Sequence, residues 1–242
     1  AHGVKKLVYI SSVHALPELP HGNVIHEVQD GFQSDAVIGL YAKTKAAATQ
    51  IVLDAAKEGL DATVIQPSGI IGPNDYGHGH LTQMIINYLN GSLTACVEGG
   101  YDFVDVRDVA DGVIAATEKG KKGECYILSN RYIPVRELLN TLSRVTGGRK
   151  ITTVLPLWFA KLTAPLAELY YKIRHESPLF TRYTLYTLTS NARFTNEKAK
   201  RDLGYHPRDI STTMKDTVSF LTRERKGLFS KRRVQKAAPA VG

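Results

Sequence analysis

Hydrophobic and polar positions along the chain follow two periods, and the changes between them predict the elements. Leu7-Val8-Tyr9-Ile10 is a short, β-rich apolar run, which predicts a buried strand. Over Val37–Ala56, residues Ile38, Ala42, Lys45, Ala46, Thr49, Ile51, Val52 and Ala55 recur at the helical period, and Gly59 closes the helix. Ala62–Gln66 predicts the next strand, ended by Pro67, and a Gly/Pro/Asn/Asp-rich loop is expected from Ser68 to Gly79. Helices are expected over Leu81–Asn90, over Val109–Glu118 with Asp108 as N-cap, and over Pro134–Thr146. Strands are expected near Thr94–Val97, Phe103–Val106, Glu124–Leu128 and Ile151–Leu155, after which the pattern is mainly helical to about Thr222. Such alternation implies an α/β fold with a doubly wound parallel sheet, because parallel strands need crossover helices. The connection from Ser12 to about Ala36 is long for a compact domain, which marks it as a functional segment.

Composition narrows the class. The chain has 242 residues, 43% apolar and 22% charged, with two cysteines, which excludes general disorder and a disulfide framework. Cys96 and Cys125 fit no metal or redox spacing and read as reduced structural thiols. A net charge of +8 suggests a nucleic-acid or membrane partner until the charge is located. Residues 222–242 hold seven basic side chains against Glu224, leaving +2 for the rest of the chain. The basicity therefore belongs to a tail, 223–242, read as solvated and disordered. No nucleic-acid partner is expected, and no apolar run reaches the roughly 18 residues of a membrane span. The apolar segment Leu155–Ile173 reads as a cover for a pocket or a partner contact. His14, His21, His26, His78 and His80 lack companion carboxylates or thiols at ligand spacing, so no metal site is expected and they read as surface or pocket-lining.

Three short motifs carry the candidate chemistry. Tyr41 and Lys45 lie four apart on the predicted helix and share a face. A phenol ordinarily titrates near 10, and a neighbouring ammonium favours its charged form; reaching neutrality needs roughly 4 kcal/mol of such help. With 12 tyrosines, a Tyr-x-x-x-Lys pair arises readily by chance, so alone it decides nothing. Ser11-Ser12 directly follows the first strand, at the carboxyl edge where open parallel sheets bind ligands. A hydroxyl there can donate to a carbonyl oxygen as charge develops on it. Pro67-Ser68-Gly69-Ile70-Ile71-Gly72-Pro73 leaves the next strand at the same edge. Its Gly69-x-x-Gly72 is no dinucleotide fingerprint, because Pro73 and a polar loop follow where a helix N-terminus is required.

In this order and spacing the motifs resemble the extended short-chain dehydrogenase/reductase family. Asp105-Val106-Arg107-Asp108-Val109-Ala110 and the run from Phe194 to Lys200 into Leu203-Gly204-Tyr205 extend the resemblance over about residues 4–222. It implies a Rossmann domain carrying NAD or NADP, with a small, mainly helical C-terminal substrate region. Residues 1–150 would be the later part of that domain, 151–222 the substrate cover and 223–242 the tail. By motif, Tyr41 is the implied general acid/base and Lys45 its activator and ribose ligand. Ser12 is the implied carbonyl-orienting hydroxyl; Ser11, Pro67 and Ser68 face the cofactor. The family's strand–Gly-x-x-Gly-x-x-Gly–helix start does not precede Leu7. The resemblance thus implies that on the order of 100 residues lie upstream, and that this chain alone binds dinucleotide poorly and is inactive. Val13-His14-Ala15-Leu16-Pro17 lacks the Val-Tyr-Gly of sugar-nucleotide enzymes, and the apolar C-terminal segments look more like the dihydroflavonol-reductase-like branch. That implies a small ketone, aldehyde or alcohol substrate, NADP slightly ahead of NAD, a cytoplasmic setting and a possible homodimer. A sugar-nucleotide epimerase or dehydratase, or a non-catalytic cofactor-binding sensor, are the alternatives. An intact Ser12/Tyr41/Lys45 set speaks against the sensor.

Overall fold

The computed structural model describes residues 3–28, 31–160, 162 and 182–237. Strands β1 (Leu7–Ile10), β2 (Ala62–Pro67) and β6 (Cys125–Leu128) form a parallel sheet in the order β1-β2-β6. Register runs from Leu7 opposite Ala62 to Ile10 opposite Ile65, and from Val64 opposite Cys125 to Pro67 opposite Leu128. Every residue of β2 and β6 is buried, as befits strands covered on both faces.

The period-two alternation of these strands sorts the core into two layers. Val64, Cys125 and Ile127 pack with Ala42, Ala46 and Leu53 of helix α1 (Leu40–Lys57). Ile65, Tyr126 and Leu128 face the other way, onto Val109 and Ala116 of α3 (Val106–Lys119) and onto Ala199, Leu203 and Tyr205. Helices on both faces of parallel strands make this a doubly wound, Rossmann-type sheet, as the alternating pattern predicts. On α1 the buried stripe is Ala42, Ala46, Thr49, Leu53 and Ala56, while Ile38 and Ile51, expected on the inner stripe, are exposed. Small side chains let this helix lie close to the sheet.

Three further differences from the sequence pattern have local causes. Gly69–Ile71, expected within a loop, is strand β3, and it pairs in parallel with β5 (Gly100–Asp105). β5 in turn pairs antiparallel with β7 (Arg131–Pro134), so a second sheet continues where β2 ends. The N-cap of α3 is Asp105, whose carboxylate accepts from the Arg107 amide at 2.8 Å, rather than Asp108. Asp108 is buried inside the helix and is occupied by Arg208, whose backbone and Nε atoms donate at 2.8 and 2.6 Å. The C-terminal helix also runs on past residue 222.

Helix α2 (His80–Leu89) and α4 (Val135–Thr146) complete the part before residue 150, and β4 (Cys96–Val97) pairs with β8 (Val154–Leu155). Beyond it lie α5 (Arg182–Thr189), α6 (Glu197–Leu203) and α7 (Ile210–Ala237). The segment read as a disordered tail from 223 is therefore helical backbone up to Ala237, where Pro239 follows shortly. Lys, Arg, Gln and Ala are good helix formers, so charge alone does not end the helix. Most of the apolar segment Leu155–Ile173 lies outside the described residues. Among the described residues no helix is long and apolar enough to cross a membrane, and no cluster of three His, Cys, Asp or Glu could hold a metal. Both cysteines are free and buried, and burial pushes the Cys125 thiol up to about 12.

Candidate active site

Chemistry-bearing residues converge where β1 ends and α1 begins. Ser11 and Ser12 follow β1 and are both buried, but their hydroxyls have different fates. Thr49 Oγ1 donates to the Lys45 carbonyl at 2.7 Å, so the 2.6 Å contact with Ser11 uses the Ser11 hydrogen. Ser11 is thus spent tying β1 to α1. Ser12 caps the short 3-10 turn Val13–Ala15, its oxygen accepting from the His14 amide at 3.2 Å. That cap uses only a lone pair, so the Ser12 hydrogen remains free to be donated.

Tyr41 and Lys45 stand on the first turns of α1, as their spacing predicts. The Lys45 ammonium donates to the Ile10 carbonyl at 2.9 Å, which binds the helix to the end of β1. The same ammonium lies 6.0 Å from the Tyr41 ring centre and 5.5 Å from that of Tyr9. Tyr41 is 49% exposed, and among the described residues its hydroxyl has no hydrogen-bond partner. The chain enters α1 through Gly39 at φ +97°, where a Cβ would also stand 2.6 Å from Cε2 of Tyr183. Gly39→Ala should therefore cost about 1–3 kcal/mol of stability and push Tyr183 aside. Urea unfolding checks this; an unchanged midpoint would show the turn to be unstrained.

Pro67 and Ser68 close β2 at the same edge of the sheet. The Ser68 amide donates to Leu128 at 3.1 Å and its hydroxyl to Asp102 Oδ1 at 2.6 Å, so only the Ser68 carbonyl remains to face a ligand. Asp102 is buried, also accepts from the Asn130 amide at 3.0 Å, and leaves Oδ2 without a partner. Burial raises its pKa from 3.8 to about 6, against the lowering effect of those hydrogen bonds. Its folded value lies above the unfolded one, so its contribution to stability is complete below pH 4 and lost as pH rises through 6. Asp102→Asn keeps an acceptor and does not titrate. Its stability relative to wild type should rise by on the order of 3 kcal/mol between about pH 4 and 7 and then level off. A difference that stays flat with pH in urea titrations would contradict this.

A cavity of about 130 Å³ lies next to this edge: His14, whose ring meets that of Tyr41, lines it, whereas Ser12, Tyr41 and Lys45 are not among its lining residues. Val13, Leu16, Ile25, Val37 and Phe194 make apolar walls, and His14, Glu18, Tyr101, Tyr186 and Asn191 supply polar groups. The long segment after Ser12 forms one wall because it is pinned to the chain after α5. Ile25 bridges to Phe194, and Asn191 Nδ2 donates to the carbonyls of Pro20 and Asn23 at 3.1 and 2.8 Å. Glu18 accepts a hydrogen bond from the Tyr186 hydroxyl. His14, read from sequence only as a surface or pocket-lining histidine, stacks on Tyr101 at 5.6 Å and meets the Tyr41 ring edge-on at 5.9 Å. Tyr101, Tyr186 and Glu18 carry no local sequence signal and were not anticipated; only the tertiary pairing brings them here.

The chain is similar to sterol demethylase protein B of Methylococcus capsulatus, 29% identical over 228 residues that cover 92% of this chain and 68% of that protein. It is similar to a putative dihydroflavonol 4-reductase of Synechocystis sp., 30% identical over 224 residues covering 90% of this chain and 64% of that one. The crystal structure of gox2253 superposes with a TM-score of 0.75 at 32% identity, covering 92% of this chain and 67% of that one. The chain thus spans about two thirds of the length of these relatives. Residues 1–129 match the model of the NAD dependent epimerase/dehydratase family, and the chain belongs to that family.

Proposed function

We propose that this chain carries the catalytic and substrate-side part of an NAD(P)-dependent oxidoreductase that reduces a ketone or aldehyde, or oxidises the corresponding alcohol. The observation that carries the reading is an exposed phenol with a free serine hydroxyl and an ammonium at one sheet edge, joined through the His14 ring to a largely apolar cavity. The donor set suits the nicotinamide–ribose half of a dinucleotide. Lys45 would hold ribose hydroxyls, and the carboxyl ends of β1 and β2, with Pro67 and Ser68, would face the ring. The cofactor's contribution there would be hydride delivery or removal.

The chain's own residues do the rest. Ser12 donates to the carbonyl oxygen and fixes its direction. Tyr41 transfers its proton to that oxygen as charge develops, and Lys45 stabilises the phenolate left behind. The apolar walls exclude water from the reacting carbonyl. The described lining holds a carboxylate, Glu18, and no lysine or arginine, which suits an uncharged carbonyl better than a sugar diphosphate. The name of the Synechocystis relative agrees with a reductase.

Oxidation of NADH or NADPH by the full-length protein with a panel of uncharged ketones and aldehydes tests this. The expected result is carbonyl-dependent oxidation of one of the two. Interconversion of UDP- or dTDP-sugars without net cofactor turnover would replace this reading with the epimerase one.

A further inference from the structure

His14 sits between two tyrosines and lines the cavity, yet no motif assigns it a role. Its Nε2 lies 3.1 Å from the hydroxyl of Tyr101. Tyr101 is buried, and burial drives its pKa far upward, so it keeps its proton. That hydroxyl has no other partner among the described residues, so it donates to Nε2. Burial also lowers the pKa of His14, which is therefore neutral near pH 7. A neutral imidazole that accepts at Nε2 carries its hydrogen on Nδ1. Among the described residues Nδ1 has no partner.

Resting on the reductase reading above, we propose that His14 is a substrate-positioning residue whose Nδ1–H takes a second acceptor oxygen of the substrate, close to the reacting carbonyl. The tautomer is fixed by Tyr101, and ring stacking at an interplanar angle of 17° holds the imidazole in place. The ring lies 5.9 Å from that of Tyr41, so one ligand can reach both groups. The substrate class that follows has an apolar body for the Val13, Leu16 and Phe194 walls and a carbonyl flanked by an ester, acid or second carbonyl group. The pocket then recognises two oxygens, one undergoing chemistry at Tyr41 and Ser12 and one held at His14.

Ethyl acetoacetate and methyl pentyl ketone, of equal chain length, separate this role from a structural one. The wild-type protein with NADPH or NADH should favour the ester through a lower KM. His14→Leu should raise KM for the ester about fivefold more than for the ketone, the worth of one hydrogen bond, with similar changes in kcat for both. His14→Asn, which restores a donor near the Nδ1 position, should recover part of the ester preference. Equal losses for the two substrates in His14→Leu, or no ester preference in the wild type, would overturn the inference while leaving the reductase reading in place. Reduction of neither compound, nor of any other carbonyl, by protein that binds NADPH would overturn the reductase reading, and the inference with it.

Discussion

Tyr41→Phe in the full-length protein should lower kcat/KM for carbonyl reduction by about 10²–10⁴-fold, the usual worth of a positioned general acid. The substitution is unusually clean. The Tyr41 hydroxyl bonds no described residue, and the ring is 49% exposed, so removing one oxygen leaves the packing of α1 untouched. Stability should stay within about 0.5 kcal/mol of wild type. The ring that meets His14 edge-on also survives, so substrate should still enter the cavity. The loss should therefore fall on kcat, with KM little changed, because the proton is transferred only as the oxygen acquires charge. Turnover that survives Tyr41→Phe at wild-type rate would remove Tyr41 from the chemistry, whatever its place in the motif.

What the sequence made legible was what local pattern encodes. The strand Leu7–Ile10, the helix bearing Tyr41 and Lys45 and the strand ending in Pro67 show their periods directly, and all three reach one sheet edge because parallel strands share a direction. Glycine and proline around Ile70 hid β3, whose pairing with Phe103–Asp105 supplies order that the residues themselves do not announce. Asp105 and Asp108 are equally good caps by composition. Arg208, a hundred positions away, decides between them by taking Asp108.

The cavity was the least legible part. Tyr101 meets His14 across 87 positions, and Asn191 reaches back 168 to Asn23. Such contacts depend on how layers stack and leave no period in the chain. The unusual length of the segment after Ser12 is visible in the sequence, but its place as a cavity wall required the bridge from Ile25 to Phe194. The motif order pointed to one sheet edge for Ser12, Tyr41 and Lys45, and tertiary packing supplied the cavity next to it.

Lys45→Met should lower kcat by about 10²-fold. An ammonium about 6 Å from a developing phenolate contributes about 3 kcal/mol at an effective dielectric constant of 20, taking the 6.0 Å to the Tyr41 ring centre as the separation. Fold stability should change less. The Ile10 carbonyl that loses its donor belongs to a residue 44% exposed, so water can replace the ammonium. Lys45→Arg retains the charge but not the compact head that fits against that carbonyl, and a planar guanidinium needs a different seat. It should recover only part of the rate. Because Lys45 also faces the proposed ribose position, KM for NADPH or NADH should rise in both variants, whereas Tyr41→Phe should change it less. A Lys45→Met protein within threefold of wild-type kcat would show that the phenol needs no cation, and that Lys45 serves only to tie α1 to β1.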